Sequence, residues 1–108
     1  MAVHVFGIPC EVEKIQKIAK KHHLKVIYDG AHAFGVKYKN KSLLQYGDIS
    51  ICSFHATKLF HTIEGGCVVS KTKLIDNKIN LIKRFGHNAD RHFVLGINAK
   101  ASEFQAAM

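Results

Sequence analysis

Two short polar segments carry side chains of types that can do chemistry. Asp29-Gly30-Ala31-His32 follows a nearly continuous apolar run, Leu24–Tyr28, and Ser53-Phe54-His55-Ala56-Thr57-Lys58 ends a second run that begins at Ile49. A lysine beside other polar groups can form a Schiff base with a carbonyl compound, and a carboxylate at a strand end needs a partner or a role. Taken singly, Asp29 is also typical of a turn or cap, and Lys58 of an exposed loop.

A third segment, Glu64-Gly65-Gly66, follows closely. Two consecutive glycines allow a close backbone approach or unusual φ values, as at a ligand, but they are equally typical of a tight turn into the next strand. Like the other two segments, this one is not decisive alone.

The elements that position these segments begin with a strand, a helix and a strand. Val3–Phe6 is a short apolar run ended by Gly7, and Glu11–His23 has a helical period with Val12, Ile15, Ile18 and Ala19 on one side. Leu24–Tyr28 predicts a buried strand. A βαβ unit at this spacing predicts a parallel sheet, and ligands of such sheets bind at the carboxyl ends of the strands.

The same signals predict the remaining elements. These are strands at Ile49–Phe54 and Gly66–Val69, a polar turn at Tyr38–Ser42, a helix from Ser70 or Thr72 to about Phe85 stopped by Gly86, an irregular stretch at His87–Ile97, and a helix opened by the capping-box spacing Ser102-Glu103-Phe104-Gln105. The fold class is therefore α/β, a mostly parallel sheet with flanking helices. Because the last predicted helix has only a few residues before Met108, we expect 1–108 to be an excerpt of a larger protein.

Composition narrows the class of protein. No apolar run approaches the ~20 residues that span a bilayer, and the start lacks a secretory signal, so we expect a cytoplasmic protein. Cys10, Cys52 and Cys67 are an odd number without CxxC spacing, which disfavours a disulfide framework and a zinc ribbon and suggests a reducing compartment. Cys52 and Cys67 are expected in the core. The histidines show no spacing typical of metal ligands, so no metal is expected.

A net charge of +8 raises the alternative of a basic nucleic-acid-binding module. The lysines are scattered, without interleaved aromatic residues or a nucleic-acid motif, and this pattern is more typical of a solvated surface. A basic protein is also compatible with a phosphate-rich small substrate.

In combination, Asp29-x-x-His32, Ser53-Phe54-His55-x-x-Lys58 and Glu64-Gly65-Gly66 resemble the DegT/DnrJ/EryC1/StrS family. These are fold-type I aminotransferases that use pyridoxal 5'-phosphate (PLP) and act on nucleotide-linked sugars. Further matches extend the resemblance over nearly the whole chain: His4-x-x-Gly7, Gly47-Asp48, Arg84-Phe85-Gly86 and Gly96-Ile97-Asn98-Ala99-Lys100.

The resemblance implies a role for each matched position. Lys58 is expected to hold PLP through a Schiff base and to move the proton between substrate and cofactor, and Asp29 to pair with the pyridinium nitrogen. Three further residues are expected to bind the cofactor: Ala31 against one ring face, His32 near the ring hydroxyl and Ser53 at the phosphate. Asn98 is expected to reach the cofactor phosphate of a neighbouring subunit, which implies a homodimer.

The resemblance also implies a reaction. Family dehydratases replace the Schiff-base lysine, typically by histidine, so Lys58 favours transamination. The implied substrate is a nucleotide-linked keto-deoxy sugar, with dTDP-4-keto-6-deoxyglucose preferred, the amino donor is glutamate, and the pathway is surface-polysaccharide sugar biosynthesis. His55 is expected to pack near the strand end or to touch substrate, and the roles of His61 and Glu64 stay open.

The chain departs from the family in length. Residues 1–108 would be part of the PLP-binding large domain, with its N-terminal part and the C-terminal small domain missing. An inactive, truncated family remnant is therefore the main alternative, because positioned catalytic groups act as a unit.

Overall fold

The computed structural model describes the whole chain, Met1–Met108, which divides into two compact units, Met1–Lys71 and Thr72–Met108. In chain order, the first unit contains β1 (Ala2–Val3), α1 (Val12–Lys21), β2 (Ile27–Asp29), β3 (Lys37–Tyr38), β4 (Lys41–Ser42), β5 (Ile49–Ser53) and β6 (Gly66–Ser70), with 3-10 turns at Val5–Gly7 and Leu43–Gln45. The second unit contains α2 (Lys73–Ile82), β7 (His87–Asn88), β8 (Arg91–His92) and α3 (Glu103–Ala107).

One four-stranded sheet, in the order β1-β2-β5-β6, organises the first unit. Strands β1, β2 and β5 are parallel, and β6 returns antiparallel to β5. The connection from β1 through α1 to β2 is the predicted βαβ unit, so the predicted α/β fold with a mostly parallel sheet is confirmed. Strands β3 and β4 form a separate hairpin around the predicted polar turn.

The first strand and helix are shorter than the sequence predicts. Strand β1 ends at Val3 instead of Phe6, because the chain turns into the 3-10 segment with Phe6 at φ +54°. Helix α1 buries Val12 and Ala19, but Ile18 on the same predicted side is 56% exposed. The apolar period thus predicts the position of the helix correctly, but Ile18, which shares the apolar side, is not buried.

The core of the first unit lies between the sheet, α1 and the segment after β2. Tyr28 and Leu43 are its largest fully buried apolar side chains, and the other core residues are Val12, Ala19, Val26 and Ala33. Leu43 reaches the core because its N–H donates to the Val36 carbonyl oxygen at 2.9 Å and its 3-10 turn packs against the sheet.

Leu43→Ala should lower the free energy of unfolding by about 2–5 kcal/mol, because the lost methyl groups leave a cavity that close-packed neighbours do not fill. Urea denaturation measures the loss. The matched control, Leu24→Ala, removes a side chain that is 58% exposed and should cost less than about 1 kcal/mol. Equal losses for the two variants would show that Leu43 is not a core residue.

The three cysteines are free thiols. Cys52 on β5 is buried, as predicted, whereas Cys67 on β6 is only half-buried, so the prediction of two core cysteines is correct for Cys52 alone. The two residues lie opposite each other in the β5–β6 register. Burial raises the pKa of both thiols.

In the second unit, both predicted helix starts are present. Thr72 caps α2 by accepting the Ile75 N–H, and Ser102 and Gln105 form the capping box that opens α3. The stretch after Gly86 is not wholly irregular as predicted, because His87–Asn88 and Arg91–His92 pair as a two-residue antiparallel hairpin. None of the helices in either unit has the length and apolar character required of a membrane span.

Candidate active site

The two predicted polar segments begin at the same edge of the sheet. Strand β2 ends at Asp29 and its parallel neighbour β5 ends at Ser53, and the register pairs Asp29 with Ile51. The carboxyl ends of neighbouring parallel strands lie side by side, and this is the edge at which α/β proteins bind ligands. Both segments therefore leave the sheet from the edge at which the sequence analysis expects a ligand to bind.

A tight turn after β2 shapes the first segment. The Asp29 carboxylate accepts the Ala31 N–H through Oδ1 at 2.9 Å, and Gly30 N–H donates to the Ile51 carbonyl oxygen at 2.9 Å. Ala33 N–H closes the turn on the Gly30 carbonyl oxygen, and Ala33 itself is fully buried. This arrangement commits one carboxylate oxygen of the half-buried Asp29 and leaves Oδ2 for another donor.

His32 is held by the segment after β1. Its Nδ1 accepts the backbone N–H of Phe6 at 3.2 Å, and the two rings stack with centroids 5.8 Å apart and planes 9° apart. Because Nδ1 is an acceptor, the proton of a neutral His32 ring lies on Nε2, which makes Nε2–H a donor. The backbone of His32 also leaves no room for a side chain at position 7, because a Cβ added to Gly7 would lie 2.8 Å from the His32 carbonyl oxygen.

A cleft of about 440 Å³, hereafter the Lys58 cleft, opens beside these residues. Its lining residues are Phe6, Ala31, His32, Phe34, Thr57, Lys58 and Leu59. Three residues predicted from the sequence, Ala31, His32 and the half-buried Lys58, thus share one cavity. Asp29 and Ser53 lie at the adjoining strand ends and are not part of its lining.

Aromatic side chains form an apolar support near the Lys58 cleft. The rings of Phe34 and Phe60 stack with centroids 4.5 Å apart, and Phe54 meets both of them edge to face. Phe34 and Leu59 line the cleft itself. The sequence reasoning did not identify Phe6, Phe34, Thr57 or Leu59 as site residues, although all of them fall within six residues of a predicted site residue or in the His4-x-x-Gly7 motif.

His4 lies near Asp29 in the buried interior. It is fully buried, its ring stacks on Tyr28 with centroids 4.5 Å apart, and its Nδ1 accepts the Cys10 N–H at 3.1 Å. Nε2 has no hydrogen-bond partner. Burial lowers the pKa of His4, and the negative charge of Asp29 acts in the opposite direction. Burial therefore favours the neutral form of the His4 ring beside Asp29.

These residues fit PLP by the chemistry of their donor set. The Lys58 cleft combines an amine, a small Ala31 side chain that leaves room for a flat ring, and a His32 N–H donor, and Asp29 retains one uncommitted carboxylate oxygen. Ser53 Oγ accepts the His55 N–H at 3.2 Å and keeps its own O–H as a donor for an anion. No residue in this set conflicts with the cofactor.

Asn98 lies in the second unit, on an extended segment held by backbone hydrogen bonds. It forms a β-bridge with Arg84, and Ile97 and Ala99 donate to the carbonyl oxygens of Ile82 and Lys83 at 2.8 and 3.0 Å. The residue is exposed. Its expected contact with a cofactor phosphate stays a prediction.

Gly86 makes this segment possible, because its φ of +75° and its close approach to Val94 leave no room for a side chain. A Cβ at Gly86 would lie 1.8 Å from the Val94 carbonyl oxygen. Gly86→Ala should therefore destabilise the protein by clearly more than the roughly 1–2 kcal/mol that a left-handed conformation costs an alanine.

Gly35→Ala is the matched control for Gly86→Ala. Gly35 has nearly the same φ, +73°, but an added Cβ would meet nothing within 4 Å. The difference in the free energy of unfolding between the two variants isolates the backbone clash, and equal losses would contradict the close approach at Gly86.

The sequence and the fold both match one family of enzymes. The model of the DegT/DnrJ/EryC1/StrS aminotransferase family matches residues 1–108. A dTDP-4-amino-4,6-dideoxy-D-glucose transaminase of Shigella dysenteriae is 48% identical over 108 residues, which cover 99% of this chain and 29% of the relative. GDP-perosamine synthase of Escherichia coli O157:H7 is 40% identical over 111 residues, with 100% and 30% covered.

Solved structures agree with this assignment. Helicobacter pylori PseC, an aminotransferase involved in the biosynthesis of pseudoaminic acid, superimposes with a TM-score of 0.90 at 34% identity, over 97% of this chain and 30% of PseC. DesI, solved in the presence of its TDP-sugar product, superimposes with a TM-score of 0.89 at 36% identity, over 98% and 27%. The chain spans about 30% of the length of the relatives it matches. Because the family model matches the chain from its first residue to its last, the chain belongs to the DegT/DnrJ/EryC1/StrS aminotransferase family.

Proposed function

We propose that this protein is a PLP-dependent aminotransferase that replaces the keto oxygen of a nucleotide-linked sugar with an amino group taken from glutamate. The single observation that carries the proposal is the Lys58 cleft, in which a half-buried lysine shares one cavity with Ala31 and His32 at the carboxyl edge of the sheet. A lysine so placed beside the predicted ring-binding residues is suited to hold an aldehyde cofactor covalently.

Each residue of the set has a defined task. When bound, PLP supplies an electron sink that eases proton loss from the carbon bearing the nitrogen. Lys58 would hold the cofactor, and its amine would move the proton between the substrate and the cofactor. Asp29 would keep the ring nitrogen protonated through its uncommitted oxygen, and His32 would donate from Nε2 to the ring hydroxyl.

Two further residues position the cofactor. Ala31 would lie against one face of the ring, where its small side chain allows a close approach, and Ser53 would donate its hydroxyl to the phosphate. The overall exchange balances as one amino group for one oxygen: glutamate becomes a 2-oxo acid, and the keto sugar becomes an amino sugar.

The names of the relatives support the choice of substrate class. Both the Shigella dysenteriae relative and GDP-perosamine synthase are named for amino sugars or their nucleotide-linked forms. The higher identity to the former leads us to propose dTDP-4-keto-6-deoxyglucose as the substrate, in surface-polysaccharide sugar biosynthesis. We also propose a homodimer in which Asn98 of the partner subunit completes the phosphate site. The three free cysteines agree with a cytoplasmic location.

Incubation with ¹⁵N-glutamate, PLP and dTDP-4-keto-6-deoxyglucose tests the proposal, with the nucleotide sugar analysed by mass spectrometry. The expected product is an amino sugar that carries the ¹⁵N label. A parallel reaction with the GDP-linked keto sugar tests the nucleotide, and label in that product alone would overturn the dTDP preference. Bound PLP without label in either sugar would overturn the enzymatic proposal in favour of an inactive family remnant.

A further inference from the structure

The loop that carries Lys58 is closed on itself. It runs from Phe54 to Gly65, between β5 and β6, and its base is tied by the Phe54 N–H to the Gly65 carbonyl oxygen at 2.8 Å and by the Thr62 N–H to the Phe54 carbonyl oxygen at 3.0 Å. Thr62 is buried, and its Oγ1 donates to the Glu64 carbonyl oxygen at 2.9 Å. Because loops are by default more mobile than strands, a catalytic lysine on a loop depends on such internal ties.

His55 makes an unusual share of these ties. Its N–H donates to Ser53 Oγ at 3.2 Å, and its carbonyl oxygen accepts the Lys58 N–H at 2.9 Å. Its ring nitrogen Nδ1 accepts the Thr57 N–H at 3.3 Å and lies 2.9 Å from Thr57 Oγ1. One residue therefore connects the end of β5 to the turn that ends at Lys58.

The other ring nitrogen reaches across the loop. Nε2 of His55 lies 3.5 Å from Oε1 of Glu64, the residue before the two glycines that lead into β6. Because Nδ1 accepts a hydrogen bond, a neutral ring carries its proton on Nε2, the nitrogen that lies near the Glu64 carboxylate. The ring thus contacts both ends of the loop, Thr57 through Nδ1 and Glu64 through Nε2.

We propose that His55 is a positioning residue that holds Lys58 and Ser53 in register by linking the His55–Lys58 turn to Glu64. The inference rests on the proposed function, since it assigns His55 and Glu64 to the support of the cofactor lysine. It predicts that the imidazole acts through two separate contacts, an acceptor toward Thr57 and a donor toward Glu64.

Two substitutions separate these contacts, and a third removes both. His55→Asn retains an acceptor near the position of Nδ1 but loses the donor toward Glu64, His55→Gln retains a donor near the position of Nε2, and His55→Ala has neither. His61→Ala is the matched control, because His61 lies on the same loop, is exposed, and contacts only the Ile63 N–H, at 3.4 Å.

Amide hydrogen exchange of the cofactor-free protein gives the first readout. His55→Ala should speed exchange at the Thr57 and Lys58 amides by roughly 3- to 10-fold, the loss expected for a net hydrogen bond. His55→Asn should protect Thr57 more than His55→Ala does, and His61→Ala should match the wild type. Unchanged exchange at both amides in His55→Ala would overturn the proposal.

The rate at which PLP attaches to Lys58 gives the second readout. Loss of a supporting contact typically costs about 10- to 100-fold, so His55→Ala should slow attachment within that range, while His55→Asn and His55→Gln fall between it and the wild type. A wild-type rate in His55→Ala would overturn the positioning role alone. Failure of the wild-type protein to attach PLP would instead overturn the proposed function, and the exchange readout would still test the His55 contacts.

Discussion

Replacing Lys58 with alanine should abolish covalent PLP binding and reduce turnover to background. In the wild-type protein, added PLP should produce a near-visible absorption band from the lysine-bound cofactor. Lys58→Ala removes the nitrogen that forms this bond, and no other lysine lines the Lys58 cleft. Lys58→Arg should behave in the same way, because a guanidinium is not a nucleophile at working pH. Spectrophotometric titration with PLP measures the effect.

Lys71→Ala is the control for Lys58→Ala. Lys71 follows β6 and is exposed, so its removal subtracts the same charge without touching the cleft. It should retain the absorption band and the turnover. A band of wild-type intensity in Lys58→Ala would mean that another amine binds the cofactor.

Asp29→Asn should have the second-largest effect. It should lower kcat without preventing PLP from attaching to Lys58. Asparagine retains an oxygen for the Ala31 N–H, so the turn after β2 should survive. The loss of charge removes the group that keeps the ring nitrogen protonated. We expect kcat to fall by roughly 10²- to 10³-fold, the usual range for removal of one preorganised electrostatic group. Steady-state kinetics beside the PLP titration separates the two effects.

Asp48→Asn is the matched control for Asp29→Asn. The Asp48 carboxylate accepts the Val26 N–H at 2.9 Å and pairs with Lys25 at the opposite end of β5, away from the carboxyl edge. Asparagine retains an oxygen for the Val26 N–H and the Lys25 partner is exposed, so Asp48→Asn should change stability by less than about 1 kcal/mol and leave kcat nearly unchanged. Comparable losses of kcat in both variants would show that Asp29 acts on stability and not on the cofactor.

The sequence predicted the elements that depend on period and on turn chemistry. The apolar period around α1 and the capping box at Ser102 correspond to observed structure. The predicted buried strand Leu24–Tyr28 is only partly correct, because β2 begins at Ile27, and Leu24 and Ile27 are exposed whereas Val26 and Tyr28 are buried. The parallel sheet predicted from the βαβ spacing is observed for β1, β2 and β5, and their pairing places the strand ends Asp29 and Ser53 at one edge. Because β2 and β5 are parallel neighbours, their ends bring Asp29 and the Ser53–Lys58 segment to the same edge.

The parts that could not be predicted depend on unusual backbone conformations and on loop geometry. Phe6 enters the Lys58 cleft through a φ of +54°, which residues other than glycine seldom adopt and which no local pattern indicates. The β7–β8 hairpin was missed because each strand has two residues and Ala89 supplies the left-handed turn at φ +48°. The His55–Glu64 contact joins residues nine positions apart through a closed loop, so sequence spacing alone does not reveal it.

Reduction with borohydride after addition of PLP, followed by peptide mapping, tests the central claim most directly. We predict that the phosphopyridoxyl mass is found on Lys58, at one group per chain. A chain that carries the label on a different lysine, or no label at all while its fold is intact, would contradict the assignment of this sheet edge as a cofactor site.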